Sequence, residues 1–119
     1  TGPRVDIYSP GTMIMGAYAQ SSYVTAPVAD PRNGLYWLNK ISGTSQATPQ
    51  VAGYMALACQ ARPSMTPTDA KNFVVSSSLK NVLVDTGGGF SNQNSLQGGN
   101  NRFLYMPFNS SERGRWTKE

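Results

Sequence analysis

Three features of the chain predict an α/β fold. Residues 4–8 alternate polar and apolar side chains, and residues 35–41 form an aromatic-rich apolar stretch, so both read as strands. The run Val51, Ala52, Gly53, Tyr54, Met55, Ala56, Leu57, Ala58, Cys59 is apolar nearly all round, which suits a helix buried on several sides. A second helix signal, with its own start residues, follows at residues 67–77.

Arg4-Val5-Asp6-Ile7-Tyr8 is the first strand expected, closed by a Ser9-Pro10-Gly11 turn. Residues 16–34 break into Ser, Thr, Pro, Asp and Asn and predict a surface loop, with Asp30 before Pro31 as a turn former. Tyr36 and Trp37 in the next strand fit core contacts or the lining of a substrate groove. The first helix is expected over residues 50–61, with Thr48-Pro49 at its start, where the missing proline N–H costs nothing. Arg62-Pro63 ends it. For the second helix, Thr66 is the expected N-cap, Pro67 the first helical residue and Asp69 the third, where a carboxylate meets the positive helix end. Residues 82–84 and 103–106 are short strand candidates, 87–89 and 97–100 are glycine loops, and the polar tail from 109 to 119 is expected at the surface.

Composition narrows the function. Twelve glycines and eight prolines among 119 residues predict many turns, and a charged fraction of 13% suits a loop-rich enzyme domain better than a disordered tail. The net charge of +4 is scattered along the chain without the basic stripe that phosphate recognition needs, so no nucleic-acid partner is expected. No apolar run approaches the ~20 residues of a bilayer span, so no membrane span is expected either. The lone Cys59 excludes an intrachain disulfide and reads as a small buried hydrophobe. The chain has no histidine, so it holds no histidine general base. The first residue is Thr1, which is read as a start inside a longer reading frame.

The chemistry concentrates in Gly43-Thr44-Ser45-Gln46-Ala47-Thr48-Pro49-Gln50-Val51-Ala52-Gly53. It sets a serine in a small-residue turn just ahead of the apolar helix, whose first N–H groups are free and whose dipole end is positive. Spacing alone leaves two readings open: a helix cap, or a nucleophile whose own N–H faces an oxyanion.

Residues 43–53 resemble the G-T-S-x-A-x-P-x-V-A-G signature around the nucleophile of the subtilase family, with every fixed position matched. Residues 5–12 look like the strand and turn that precede that segment, 64–73 like the helix that follows it, and Asn101-Arg102-Phe103-Leu104-Tyr105 like the closing strand. The resemblance implies that residues 1–107 are the C-terminal part of a subtilisin-like α/β peptidase domain, a mostly parallel sheet flanked by helices, with 108–119 as a tail. It implies Ser45 as the nucleophile of a serine endopeptidase, its N–H as one oxyanion donor and the Thr44 hydroxyl as support. The family's triad runs Asp, His, Ser along the chain. The first two members, with the oxyanion-hole amide, are therefore expected upstream of Thr1.

On this reading the chain is inactive alone. Its partners are the upstream portion of the same peptidase and a peptide or protein substrate. Gln46 and Gln50 stand where the family often has Met and His, which marks a divergent member. Asp6 resembles an aspartate that helps bind calcium in some subtilases, but calcium takes about six to eight oxygens, so a surface or turn role is expected. No metal or other cofactor is assigned. A catalytically silent interaction module, a cleaved remnant held in a larger assembly, is the alternative. A secreted setting or a place in an assembly is expected over a membrane.

Overall fold

In the computed structural model, which describes residues 2–19, 27–85 and 96–106, helices and strands are interleaved as the α/β class requires. The order is β1 (Ile14–Tyr18), β2 (Val28–Asp30), β3 (Asn33–Ile41), α1 (Thr44–Ala61), α2 (Pro67–Ser77), β4 (Leu79–Lys80) and β5 (Arg102–Phe103). The chain divides into two compact units, one of Pro10–Thr48 and one of Thr1–Ser9 with Pro49–Glu119. Among the described residues no helix is long and apolar enough to cross a membrane.

The unit of Pro10–Thr48 is built on an antiparallel sheet of order β1-β3-β2. β1 pairs with the second half of β3, Ile14 opposite Ile41 and Tyr18 opposite Trp37. Asp30-Pro31-Arg32-Asn33 turns β2 into β3. The Asp30 carboxylate accepts from the Arg32 backbone N–H at 2.9 Å and from its guanidinium at 2.9 and 2.7 Å, a fork that suits the planar cation. These bonds, side-chain first, hold the Asp30 carboxyl down at about 2. Past the turn the register jumps from Asp30↔Asn33 to Ala29↔Trp37, leaving residues 34–36 as a bulge on β3.

The other unit is centred on the two helices. Tyr54 and Ala58 of α1 and Ala70 and Val74 of α2 are its buried apolar residues, each no more than 2% exposed. Burying the Val74 side chain stabilises by about 1.5–3 kcal/mol. The Tyr54 and Phe73 rings meet at 5.9 Å and 52°, and the Arg62 guanidinium lies over the Phe73 ring, 5.7 Å from its centroid. α2 starts as its sequence dictates. The Thr66 hydroxyl accepts from the Asp69 N–H at 3.1 Å, and Asp69 accepts from the Thr66 N–H at 3.0 Å, a reciprocal box that satisfies two end donors. β4 and β5 pair antiparallel, Leu79 opposite Phe103. The Asn101 side chain extends this pairing by accepting from the Leu83 N–H at 3.1 Å and donating to the Leu83 carbonyl at 2.8 Å.

Several expectations change. Residues 4–8 form no strand of their own. Tyr8 alone makes a parallel bridge to Phe103, donating to the Arg102 carbonyl and accepting from Leu104. That bridge is the one parallel pairing among the described residues; both sheets are antiparallel. The loop expected at 16–34 holds most of β1 and all of β2, because cross-strand partners outweigh weak local propensity. The strand candidate at 82–84 carries only the Asn101 contacts, and the true pair is Leu79–Lys80. The helix α1 buries just Tyr54 and Ala58, while Leu57 is 40% exposed and Cys59 is half-buried rather than enclosed. The glycine run at 87–89, the tail from 108 and residues 20–26 lie outside the described residues.

Candidate functional site

Glycine at two positions makes the serine turn. Gly43 has φ +155°, a backbone that L side chains rarely adopt, and a Cβ there would lie 3.0 Å from the Gln46 Oε1. Gly11 approaches it so closely that a Cβ on Gly11 would stand 2.8 Å from the Gly43 carbonyl oxygen. In return the Gly43 N–H donates to the Gly11 carbonyl at 2.7 Å. A second tie runs from the Met13 N–H to the Ser42 Oγ at 2.9 Å, and Met13 holds a left-handed φ of 53°.

The Gly43 carbonyl opens α1 by accepting from the Gln46 and Ala47 N–H groups at 3.1 and 3.3 Å. Helix α1 therefore begins at Thr44, six residues before the expected start, and Ser45 is its second residue rather than a residue ahead of it. Helix geometry gives the Thr44 and Ser45 N–H groups no intrahelical acceptor, and neither finds another among the described residues. The Ser45 side chain is exposed, and its Oγ makes no hydrogen bond among the described residues. It does not cap the helix. The Thr44 carbonyl accepts from the Thr48 Oγ1 at 2.9 Å. Pro49 falls inside the helix, where its missing N–H deprives the Ser45 carbonyl of its usual i+4 donor.

Residues 42–53 contain no ionisable side chain. The electrostatics of the turn are therefore those of the helix end, which carries a partial positive charge of about half a unit with no acidic residue in the first turn to offset it. An oxygen that gains negative charge beside Ser45 would meet free N–H donors and that field. What the segment lacks is a base. Asp6 belongs to the other unit, half-exposed and paired with the Lys71 Nζ at 2.9 Å, and among the described residues no three His, Cys, Asp or Glu side chains gather as a metal site would require. Trp37 is half-buried in its strand, whereas Tyr36 stands on the bulge and is 64% exposed. Sequence reasoning missed the Gly11 and Ser42 ties, since partners some thirty residues apart leave no local pattern.

The family model for the subtilase family matches residues 1–103. The chain belongs to the subtilase family. An alkaline serine exoprotease A from Vibrio alginolyticus is 34% identical over 87 residues, which is 73% of this chain and 14% of that protein. An extracellular serine proteinase from a Thermus species is 32% identical over 107 residues, 90% of this chain and 21% of that protein. Serine protease AprX from Bacillus subtilis is 35% identical over 71 residues, 60% and 16% respectively. This subtilase chain thus spans between 14% and 21% of the length of these relatives. Their names make them serine proteases, and the family match over residues 1–103 includes the segment that holds the Ser45 turn.

Proposed function

We propose that this subtilase chain supplies the nucleophile of a serine endopeptidase. The observation that carries the reading is Ser45 itself: an exposed hydroxyl on the second residue of α1, inside a fully matched family signature, beside N–H groups with no helical acceptor. In the proposed reaction the Ser45 Oγ attacks the carbonyl carbon of a peptide bond while a base takes its proton. The carbonyl oxygen becomes an oxyanion that receives the Ser45 N–H, with the Thr44 hydroxyl supporting that site. The tetrahedral species collapses to an acyl-enzyme as the base returns the proton to the leaving amine, and water then hydrolyses the ester.

The chain holds no histidine, so the base is a histidine outside these 119 residues, oriented by an aspartate also outside them. An unactivated serine is a weak nucleophile. The chain alone therefore does not hydrolyse peptides, and its working partner is the rest of the same peptidase. The name of the Thermus relative supports an extracellular setting.

Fluorophosphonate labelling of the native, unfractionated protein, with peptide mass mapping, tests the reading. The expected result is an adduct on Ser45 that is lost on denaturation and in the Ser45→Ala variant. A native sample that stays unlabelled, while subtilisin in the same tube reacts, overturns it in favour of a catalytically silent module.

A further inference from the structure

Asn33 is the one asparagine in the sequence followed by glycine, and the fold treats this pair unlike any other. It opens the bulge where residues 34–36 leave the β2 ladder, and β1 pairs only from Trp37 onward. Asn33 and Gly34 are exposed, and Leu35 beside them is 84% exposed. The Asn33 Oδ1 accepts from the Leu35 N–H at 3.1 Å. That contact, from a side chain to the amide two residues on, closes a ring that takes in the Asn33–Gly34 peptide group. The peptide nitrogen in that ring belongs to Gly34, which has no side chain and where a Cβ would meet nothing within 4 Å.

We propose that Asn33 is a site of spontaneous modification, in which the Gly34 backbone nitrogen attacks the Asn33 side-chain carbon and converts the asparagine to aspartate and isoaspartate. The Gly34 N–H gives up its proton to solvent base and a new N–C bond forms. The bond from that carbon to Nδ2 breaks, and the amide leaves as ammonia with a proton returned to it. The product is a five-membered cyclic imide. Water then adds to one of its two carbonyls. Opening at the side-chain carbonyl gives aspartate, and opening at the main-chain carbonyl gives isoaspartate, with an extra methylene in the backbone. Water is the only co-reactant, and no oxidant or reductant takes part. The hydrogen bond from Leu35 assists by drawing electron density toward Oδ1, which leaves the attacked carbon more electrophilic.

Other asparagines in the described residues lack this combination. Asn39 sits in the β1–β3 ladder opposite Gly16, its Oδ1 accepts from the Lys40 N–H at 2.8 Å, and a lysine follows it. Asn101 holds Leu83 with both side-chain atoms. The consequence of modification is local and electrostatic. A new carboxylate appears next in sequence to Arg32, whose guanidinium otherwise serves Asp30 alone in the turn. Isoaspartate would also lengthen the main chain at the Asp30↔Asn33 pair that closes the hairpin.

The test incubates the native chain at mildly alkaline pH and digests it with trypsin beside a zero-time control. Cleavage after Arg32 and Lys40 puts Asn33 and Asn39 on one peptide, so Asn39 is an internal reference. Fragmentation of that peptide assigns the one-dalton gain to a residue. The expected result is a gain that grows with time at Asn33, with Asn39 unchanged, and that is slowed several-fold in the Gly34→Ala variant. That alanine is accommodated without a clash, so the variant reports on the chemistry rather than on folding. Asn33 unchanged over the period in which the free peptide of residues 33–40 converts overturns the proposal, and so does equal conversion at Asn33 and Asn39.

Discussion

Gly11→Ala is the substitution that bears most directly on the serine turn, because the added Cβ would stand 2.8 Å from the Gly43 carbonyl oxygen and 3.4 Å from the Ala47 Cβ. Neither neighbour is the flexible end of a side chain, so backbone must move. Overpacking of this kind costs about 1–3 kcal/mol, and the Gly43-to-Gly11 hydrogen bond of 2.7 Å, worth about 1 kcal/mol, weakens with it. A loss of about 2 kcal/mol is expected. With a urea slope of about 1 kcal/mol/M for a small unit, the midpoint falls by about 2 M. Trp37 lies in the affected unit, and its fluorescence in a Trp116→Phe background reads the transition. The displaced carbonyl is also the acceptor that opens α1. If a 1 Å misplacement costs about a hundredfold in rate, a shift of half that size slows Ser45 labelling by about tenfold. Gly16→Ala is the control, since a Cβ there meets nothing within 4 Å. It should be neutral, or stabilising by about 0.4–1 kcal/mol. A Gly11→Ala protein with the parent's midpoint and labelling rate would refute the steric reasoning, as would an equal loss in Gly16→Ala.

Thr66→Ala removes the hydroxyl that accepts from Asp69 and should destabilise α2 by about 1 kcal/mol, with Thr66→Ser restoring most of it; urea unfolding followed by circular dichroism distinguishes them. The hydrogen bonds from Thr66 hold the Asp69 carboxyl below its ordinary value of 3.8. A depressed carboxyl contributes stability above its unfolded value and loses it as pH falls, so the difference between Thr66→Ala and parent should shrink on acidification. Asp30, held at about 2 by Arg32, keeps its full contribution to the β2–β3 turn above about pH 4 and loses it as pH falls through about 2. Carboxyl titration by NMR checks this, and an Asp30 midpoint near its ordinary value would mean the fork does not persist in solution.

What the sequence could announce depended on how far apart the partners lie. The α2 box was legible because Thr66, Pro67 and Asp69 cooperate within four residues, and the structure forms each predicted contact. Asp30 was legible as a turn former for the same reason. The start of α1 was misjudged because Pro49 looked like a first-turn proline, whereas the true opening is set by the Gly43 carbonyl, fixed from Gly11 across 32 residues. β1 and β2 were hidden inside a polar-looking stretch since their strand character comes from β3. The burial of α1 was overestimated because an apolar surface specifies a need for cover, and among the described residues only Tyr54 and Ala58 of the helix are enclosed. At the candidate site the motif located Ser45, but the ties from Gly11 and Ser42 that hold its turn became visible only in the fold.

Pro49 leaves a seam in the helix. Across it, the Ser45 carbonyl lacks a rung, so the first turn of α1 is joined to the remaining turns with one link fewer than a regular helix has. Opening that turn therefore breaks fewer bonds and need not propagate toward Tyr54. In hydrogen-exchange terms, the amides at residues 46–48 should exchange well ahead of those at 54–58, as a separate, weaker unit. A serine mounted on such a turn can settle against an incoming group by small backbone adjustments while the body of the helix stays anchored. That compliance is written into the backbone by a ring that cannot donate.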